Sequence, residues 1–410
     1  MAYNEDLGIV AARVMQLDKF DQREWNLAAT LIRPEFACPF ILKYLLAKPL
    51  KTEVVILMEY ANAQSVEVII KNQKYDLPRG AYRALAQQIL EGVRVIHSAG
   101  LVHKTIKAES IMLHSTRGSI KVKISDFGLT KIDSKDRLEL MSMETLFSMA
   151  PELLLGSFET TNKVDMWSVG VVLYQLATHE YPIVAEDLQG LKYKIRQKEI
   201  ERPPQIRDDD LWDLLQQMLE QYPGRRISAE QALMHPYFTS IYAQKEVSVA
   251  AKKLAHSFAY QKGDSWIMRF DMDQTSIIPT SELLKFYTTH PEADEKVILL
   301  TQKGEQEQID TQLQQYPDPE TMRSSRFEPL QEDIDPNDNS NIKDYNKEKI
   351  VPFTLEQLRS TPDFLNGKII NQEQYITSKP IKPLTIHNPR IRVLQDTSYS
   401  PFPHFNLNQI

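Results

Sequence analysis

The chain has a single cysteine, Cys38, so it has no internal disulfide framework, and this suits a reducing compartment such as the cytoplasm. It also lacks a basic excess. Its formal net charge of -7 spreads no positive field for a polyanion, which argues against a nucleic-acid partner. No apolar run reaches the length of a membrane span: Leu7–Met15 is short and broken by Arg13, and the stretch around Val169–Leu173 is shorter still. A soluble protein with no membrane partner is expected. With 410 residues, 42% of them hydrophobic, there is enough apolar material for one large core and an appendage.

Glycine and proline are unevenly spread. Residues 239–410 hold 13 of the 23 prolines but three of the 13 glycines, together with many Gln and Asn, which argues against a compact core there. Helix is expected in parts of Val247–Met268 and Ser281–Thr288, and little order in Thr301–Asn346 or in the proline-punctuated tail Pro380–Ile410. Before this boundary the texture is that of a folded domain. Gly8–Met15 reads as a strand, and Asp18–Ile32 carries Phe20, Leu27, Ala28 and Leu31 at helical spacing. Phe40–Ala47 and Val54–Tyr60 read as two strands joined through Pro49-Leu50-Lys51-Thr52. Arg79–His97 places Leu85, Ile89, Val93 and Ile96 on one face, while Lys163–Thr178 is apolar nearly all round and reads as a buried helix. Ser228 and Gln231 have the spacing of a capping box.

Several motifs follow in register. The run LVHKTIKAES is succeeded after a spacer by KVKISDFGL, then by Ala150-Pro151-Glu152, by Asp165-Met166-Trp167-Ser168-Val169-Gly170, and by Arg225-Arg226-Ile227-Ser228-Ala229 ahead of His235-Pro236-Tyr237-Phe238. This ordered set resembles the eukaryotic protein kinase superfamily of Ser/Thr type over about residues 10–238. His103 matches the His of the H-R-D loop, Lys107 its downstream lysine, and Asp126-Phe127-Gly128 the D-F-G loop whose carboxylate holds magnesium. The resemblance implies an α+β fold with a shortened strand-rich N-lobe over 1–60, a mainly helical C-lobe over 61–240 and a C-terminal extension over 241–410. It also implies a buried ion pair between Glu152 and Arg226. VILMEYAN resembles the hinge, with Met58 at the gatekeeper position and the Glu59 and Ala61 backbones where an adenine edge would bond. Thr145 matches a P+1-loop threonine of Ser/Thr kinases.

The same resemblance exposes what is substituted. Phosphoryl transfer rests on positioning and electrostatics: a glycine-rich cover for the phosphates, a lysine on them, magnesium, and a carboxylate to orient and deprotonate the hydroxyl. No G-x-G-x-x-G precedes Val10, and the first two strands of the N-lobe are expected to be missing, leaving a sheet edge open to another chain. Val10-Ala11-Ala12-Arg13 has arginine where the lysine belongs, with Glu24 as its candidate helix partner; the charge survives but the geometry differs. Thr105 stands at the general-base position, and a hydroxyl does not accept a proton near neutral pH as a carboxylate does; such a base is typically worth about 10²- to 10⁴-fold. Ser110 replaces the asparagine that helps hold a second magnesium, which leaves Asp126 as the strong metal ligand. A longer N-terminus would supply the glycine loop but would leave Arg13, Thr105 and Ser110 as they are.

Two functions stay open: a pseudokinase that works through protein partners, and a Ser/Thr kinase transferring the γ-phosphoryl of ATP with low activity. Weak binding of ATP and Mg²⁺ is compatible with both. Asp271–Glu282 also resembles an EF-hand loop, with oxygen-bearing residues at positions one, three, five and twelve and Ile278 at eight. Ser276 replaces the turn glycine and Pro279 is awkward, so calcium binding is not expected; Asp335–Asn346 has similar spacing without the final carboxylate. A kinase domain followed by such a loop is similar to the layout of calcium/calmodulin-dependent kinases.

Overall fold

The computed structural model describes residues 2–4, 8–17, 20, 25, 29–126, 138, 141–157, 160–197, 200–261, 268–293 and 384–386. They fall into two compact units, one of residues 1–18, 45–60 and 317–410, the other of residues 19–44 and 61–316.

The first unit is built on an antiparallel sheet. Its strands are β1 (Ala2–Asn4), β2 (Gly8–Gln16), β3 (Tyr44–Pro49, whose first residue belongs to the other unit), β4 (Glu53–Glu59) and β8 (Leu384–Ile386), in the order β3-β4-β2-β1-β8. β2 and β4 are in register from Val10↔Glu59 to Gln16↔Glu53. Val54 and Ile56, two apart on one face of β4, are fully buried, as the period of a pleated strand requires. The Leu50 N–H donates to the Glu53 carbonyl at 2.6 Å and closes the expected hairpin. Two features differ from the sequence expectation. A strand, β1, precedes β2 and pairs with it from Ala2↔Val10 to Asn4↔Gly8, and its other side is taken by β8 of the same chain, Ala2↔Ile386. The stretch Phe40–Ala47 is not one strand: Ile41 forms a parallel bridge with Ile124, and β3 begins at Tyr44.

The second unit is mainly helical. The helix Arg79–Ser98 buries Leu85, Ile89, Val93 and Ile96, and the helix Lys163–Thr178 is buried almost all round, matching the two periodicities. Trp25, Ala29 and Thr30 are helical, while most of the helix expected over Asp18–Ile32, including Glu24, lies outside the described residues. A hairpin absent from the sequence reading joins β5 (Ile111–Thr116) to β6 (Ser119–Ile124). Its turn places both Arg117 (φ 53°) and Gly118 (φ 76°) in the left-handed region, the requirement of a two-residue turn whose twist matches the strands. Glu152 and Arg226 form the expected buried pair, bidentate at 2.8 and 2.9 Å. Arg226 also donates to the carbonyls of Lys163, Glu220 and Gln221 and lies over the Trp167 ring. The Ser228–Gln231 capping box is formed with reciprocal bonds of 3.2 and 3.0 Å.

Residues 241–293 belong to this unit as well. Composition argued against a compact core after Phe238, yet Ala251, Ala255, Phe258 and Ile277 form a small one, flanked by Val247 and Leu254. The helices here run Ile241–Lys245 and Val249–Tyr260, followed by Arg269–Met272, β7 (Ile278–Pro279) and Thr280–Leu283. Apart from β8, residues beyond 293 lie outside the described residues, and with them the expectations for Thr301–Asn346 and Pro380–Ile410. The segment is pressed against the lobe: a Cβ added at Gly80 would lie 2.4 Å from the Glu246 carbonyl oxygen. Nearby, Arg83 donates to Glu246 and to the Tyr237 carbonyl. Gly80→Ala should therefore destabilise the protein by about 1–3 kcal/mol, the range for overpacking; urea unfolding measures it, and a neutral result would mean that residues 241–246 are not held against the first turn of the helix.

Candidate functional site

The candidate site in the second unit is made of two loops that meet at the open end of the β5–β6 hairpin. The first, Leu101–Ser110, leads into β5; the second, Ser125–Asp126, leaves β6. Ser125 donates to the Ser110 carbonyl through its N–H at 2.8 Å and through its hydroxyl at 3.1 Å, so the two loops are tied where they leave the hairpin.

The first loop hangs on Asp165, in the opening turn of the Lys163–Thr178 helix and 0% exposed. Its Oδ2 accepts from the His103 N–H at 2.8 Å and lies 2.8 Å from His97 Nε2, and its Oδ1 accepts from the Lys104 N–H at 2.7 Å. A buried carboxylate is tolerable only when its oxygens are satisfied in this way. Lys104 is thereby held at φ 69°, and Asp126 in the second loop stands at φ 62°. Non-glycine residues adopt this region at a cost of about 1–3 kcal/mol, and such residues gather at functional sites.

His103 is fully buried, with Nε2 2.8 Å from the Ser125 carbonyl and Nδ1 3.4 Å from the Thr105 N–H. The network assigns the proton to Nε2, which donates to the carbonyl, and leaves Nδ1 as acceptor. Burial lowers its pKa below the ordinary histidine value, against the opposing pull of Asp165. The Thr105 hydroxyl donates to the Asp126 carbonyl at 2.9 Å. That proton is engaged in a clasp between the loops. The Ser110 hydroxyl, 0% exposed, accepts from the Lys107 N–H and donates to the Lys107 carbonyl, each at 2.9 Å, and so closes its own turn. Lys107 is half-buried on the same turn.

The remaining sequence candidates are on other elements of the chain. Arg13 is on β2 opposite Ile56, and Met58 and Glu59 end β4; all three belong to the first unit. Ala61, buried, begins the second segment of the second unit. Glu24, Phe127 and Gly128 lie outside the described residues. Sequence reasoning gave Asp165 only the start of a helix and missed His97 and Ser125. The available signal was a carboxylate at the head of a mostly apolar helix, a residue that a buried helix cannot carry without donors from elsewhere.

A magnesium ion is implied by the D-F-G resemblance, and the donor set present here fits one ion better than two. Magnesium keeps several waters and binds through one or two carboxylates plus phosphate oxygens, and Asp126 is the carboxylate that could serve it. The Ser110 hydroxyl has both its donor and an acceptor position taken by Lys107. No group of three or more His, Cys, Asp or Glu side chains suited to a metal occurs among the described residues.

The protein kinase domain model matches residues 2–238, more than half of the chain. The chain belongs to the protein kinase family. The small antiparallel sheet of the first unit and the helical second unit are its α+β architecture. The relatives of this kinase domain include serine/threonine-protein kinase 17A of Oryctolagus cuniculus, 30% identical over 221 residues, which are 52% of this chain and 55% of the relative. A probable serine/threonine-protein kinase of Dictyostelium discoideum is 32% identical over 182 residues, 44% of this chain and 21% of the relative. Mitogen-activated protein kinase 5 of Arabidopsis thaliana is 26% identical over 251 residues, 53% of this chain and 65% of the relative. The chain thus spans less than two thirds of the length of each. None of its described helices is long and apolar enough to cross a membrane.

Two outcomes follow from this geometry. Thr105→Val, which keeps the shape and removes the hydroxyl, should cost about 0.5–1.5 kcal/mol in urea unfolding whereas Thr105→Ser should not; equal effects would mean that the clasp contributes nothing. Because the folded pKa of His103 lies below its unfolded value of about 6.5, the unfolded chain takes up the proton first. Its contribution is complete above that value and is lost as the pH falls below it. The unfolding free energy should drop as the pH falls below about 6.5, with a slope that His103→Leu reduces; an unchanged slope would place the titration elsewhere.

Proposed function

We propose that this kinase domain is a catalytically impaired regulator of phosphorylation signalling, a pseudokinase that acts in the cytoplasm through protein partners and retains at most weak binding of ATP and Mg²⁺. The observation that carries the reading is the Thr105 hydroxyl donating to the Asp126 carbonyl. A substrate hydroxyl must give up its proton as the phosphoryl group arrives, and an acceptor of carboxylate basicity is worth about 10²- to 10⁴-fold. Thr105 has neither the basicity nor a disengaged proton. The Ser110 hydroxyl, bonded to Lys107 at both its N–H and carbonyl, supports the same conclusion for a second metal position. Arg13 in place of a lysine supports it for the phosphates, since a planar guanidinium does not reproduce the point charge of an ammonium.

What is retained favours residual nucleotide binding. Asp126 would hold one Mg²⁺, which supplies charge neutralisation at the phosphate oxygens, and Lys107 would meet a phosphate oxygen. Met58, Glu59 and Ala61 would face the adenine edge, with Arg13 and Glu24 as the charged pair of the upper lobe. The same retained groups favour the second reading, a Ser/Thr kinase of low activity similar to the calcium/calmodulin-dependent branch, transferring the γ-phosphoryl of ATP to protein hydroxyls.

A thermal-shift titration with ATP, with and without Mg²⁺, and a labelled-phosphate transfer assay on generic protein substrates separate the readings. The scaffold reading expects no transfer above that of Asp126→Ala, and at most a small metal-dependent shift lost in that variant. Magnesium-dependent transfer by the wild-type chain, abolished by Asp126→Ala, would establish the active kinase instead.

A further inference from the structure

The loop Asp271–Glu282 has the oxygen spacing of a calcium loop, but the carboxylates of its first two acidic positions, Asp271 and Asp273, are already used within the fold. Asp271 is 3% exposed; its Oδ1 lies 2.6 Å from the ammonium of Lys121 on β6, and its Oδ2 accepts from the Met268 N–H at 2.8 Å. Asp273 Oδ1 accepts from both the N–H and the hydroxyl of Thr275, and its Oδ2 accepts from the Ser276 hydroxyl. All four oxygens of the first two acidic positions therefore face donors of the chain. Ile278, at the eighth position, pairs through its backbone with Ile120 on β6. The neighbouring contacts make the same attachment. Gln88, 1% exposed on the Arg79–Ser98 helix, donates to the Ser276 carbonyl at 2.6 Å and accepts from the Val122 N–H at 2.8 Å. At the hairpin turn, Glu292 accepts from the Gly118 N–H at 3.0 Å and from the Ser115 hydroxyl at 2.7 Å, while the Thr280 N–H donates to the Gly118 carbonyl.

We propose that Lys121 is the resident cation of this loop, so that residues 268–293 are a calcium-independent brace clamped onto the β5–β6 hairpin. The inference stands apart from the reading of the chain as impaired or active, since it uses none of the residues of the two loops. A divalent ion would need Asp271 and Asp273 to turn away from Lys121, Met268, Thr275 and Ser276, and would meet the Lys121 ammonium as a like charge. A brace of this kind is permanent in resting and stimulated cells, and it holds the hairpin whose other end carries Ser110 and Ser125.

The test uses the full chain. The wild-type unfolding midpoint should be the same in EDTA and in millimolar calcium. Lys121→Gln, which leaves Asp271 buried without its cation, should lower the midpoint by about 5–10 °C and speed amide exchange at Val122 and across 271–280. Adding Asp271→Asn should recover more than half of that loss, because the buried charge goes with its partner. If Lys121→Gln does not fold, the Lys121→Arg variant and the wild-type calcium titration still decide the matter: Lys121→Arg should keep a calcium-insensitive midpoint. A wild-type midpoint that rises with calcium, or single losses that simply add in the double variant, would overturn the proposal.

Discussion

The carboxylate of Asp165 is the constraint on which the site depends. It is buried without exposure, and taking such a charge out of water costs several kcal/mol in a real protein after relaxation. The helix Lys163–Thr178 offers it a first-turn position, where the macrodipole favours a negative charge, but it is apolar beyond that. The compensation comes from sixty residues earlier in the chain, from the N–H groups of His103 and Lys104 and the ring of His97. The loop cannot leave this carboxylate without stranding it, so the loop adopts the left-handed backbone at Lys104 that the bonds demand. A long-range electrostatic requirement thereby sets a local conformation.

This arrangement separates the shape of the loops from the chemistry they perform in active relatives. The donors to Asp165 are two backbone groups and a histidine, none of them the side chain of Thr105 or Ser110. Thr105 and Ser110 sit in the same loop and have turned inward, the one to the Asp126 carbonyl and the other to the two backbone groups of Lys107. Each hydroxyl adds one more internal bond to a loop that was already held. A threonine at the position proposed for the general base is thus compatible with an intact fold, which is why the architecture alone says nothing about turnover, and why the proposal on function rests on what the Thr105 hydroxyl touches.

Much of the fold is legible in the sequence because it is local. The periodicities of Arg79–His97 and Lys163–Thr178, the Ser228–Gln231 box and the turn at Pro49–Thr52 need no knowledge of distant residues. The Glu152–Arg226 pair is non-local and was reached through the family resemblance. The β5–β6 hairpin was missed although Ile111, Leu113 and Ser115 alternate with more exposed neighbours; the two motifs on either side drew the reading, and an Arg-Gly turn is a weaker signal than Asn-Gly. Asp165 was read for its neighbours rather than for its own burial. At the acidic loop calcium binding was not expected, but no residue pattern pointed to the cation beside Asp271. The loop's spacing is local, but the partner that decides its role, Lys121, lies 150 positions earlier, and no window on the sequence brings the two together.

The β5–β6 hairpin then becomes the element through which these observations join. Its open end holds the two loops by the Ser125–Ser110 bonds, and its turn and outer edge are held by Thr280, Glu292, Ile278 and, through Lys121, Asp271. A strand pair six residues long is stiff because each register bond fixes the next, and here β6 is also bonded to Gln88 at Val122. Motion of the 268–293 segment therefore reaches Ser110 and Ser125 only by tilting the pair as a whole or by breaking its register. Both routes disturb bonds already counted: tilting breaks the Gln88 bridge, and slippage by one residue turns buried Ile111, Leu113, Ile120 and Val122 toward the other face. The C-terminal segment is for this reason better understood as part of what keeps the loops in place than as an appendage: the second compact unit continues, through the contacts at Gly80 and Lys121, past Phe238, where the kinase-domain match ends.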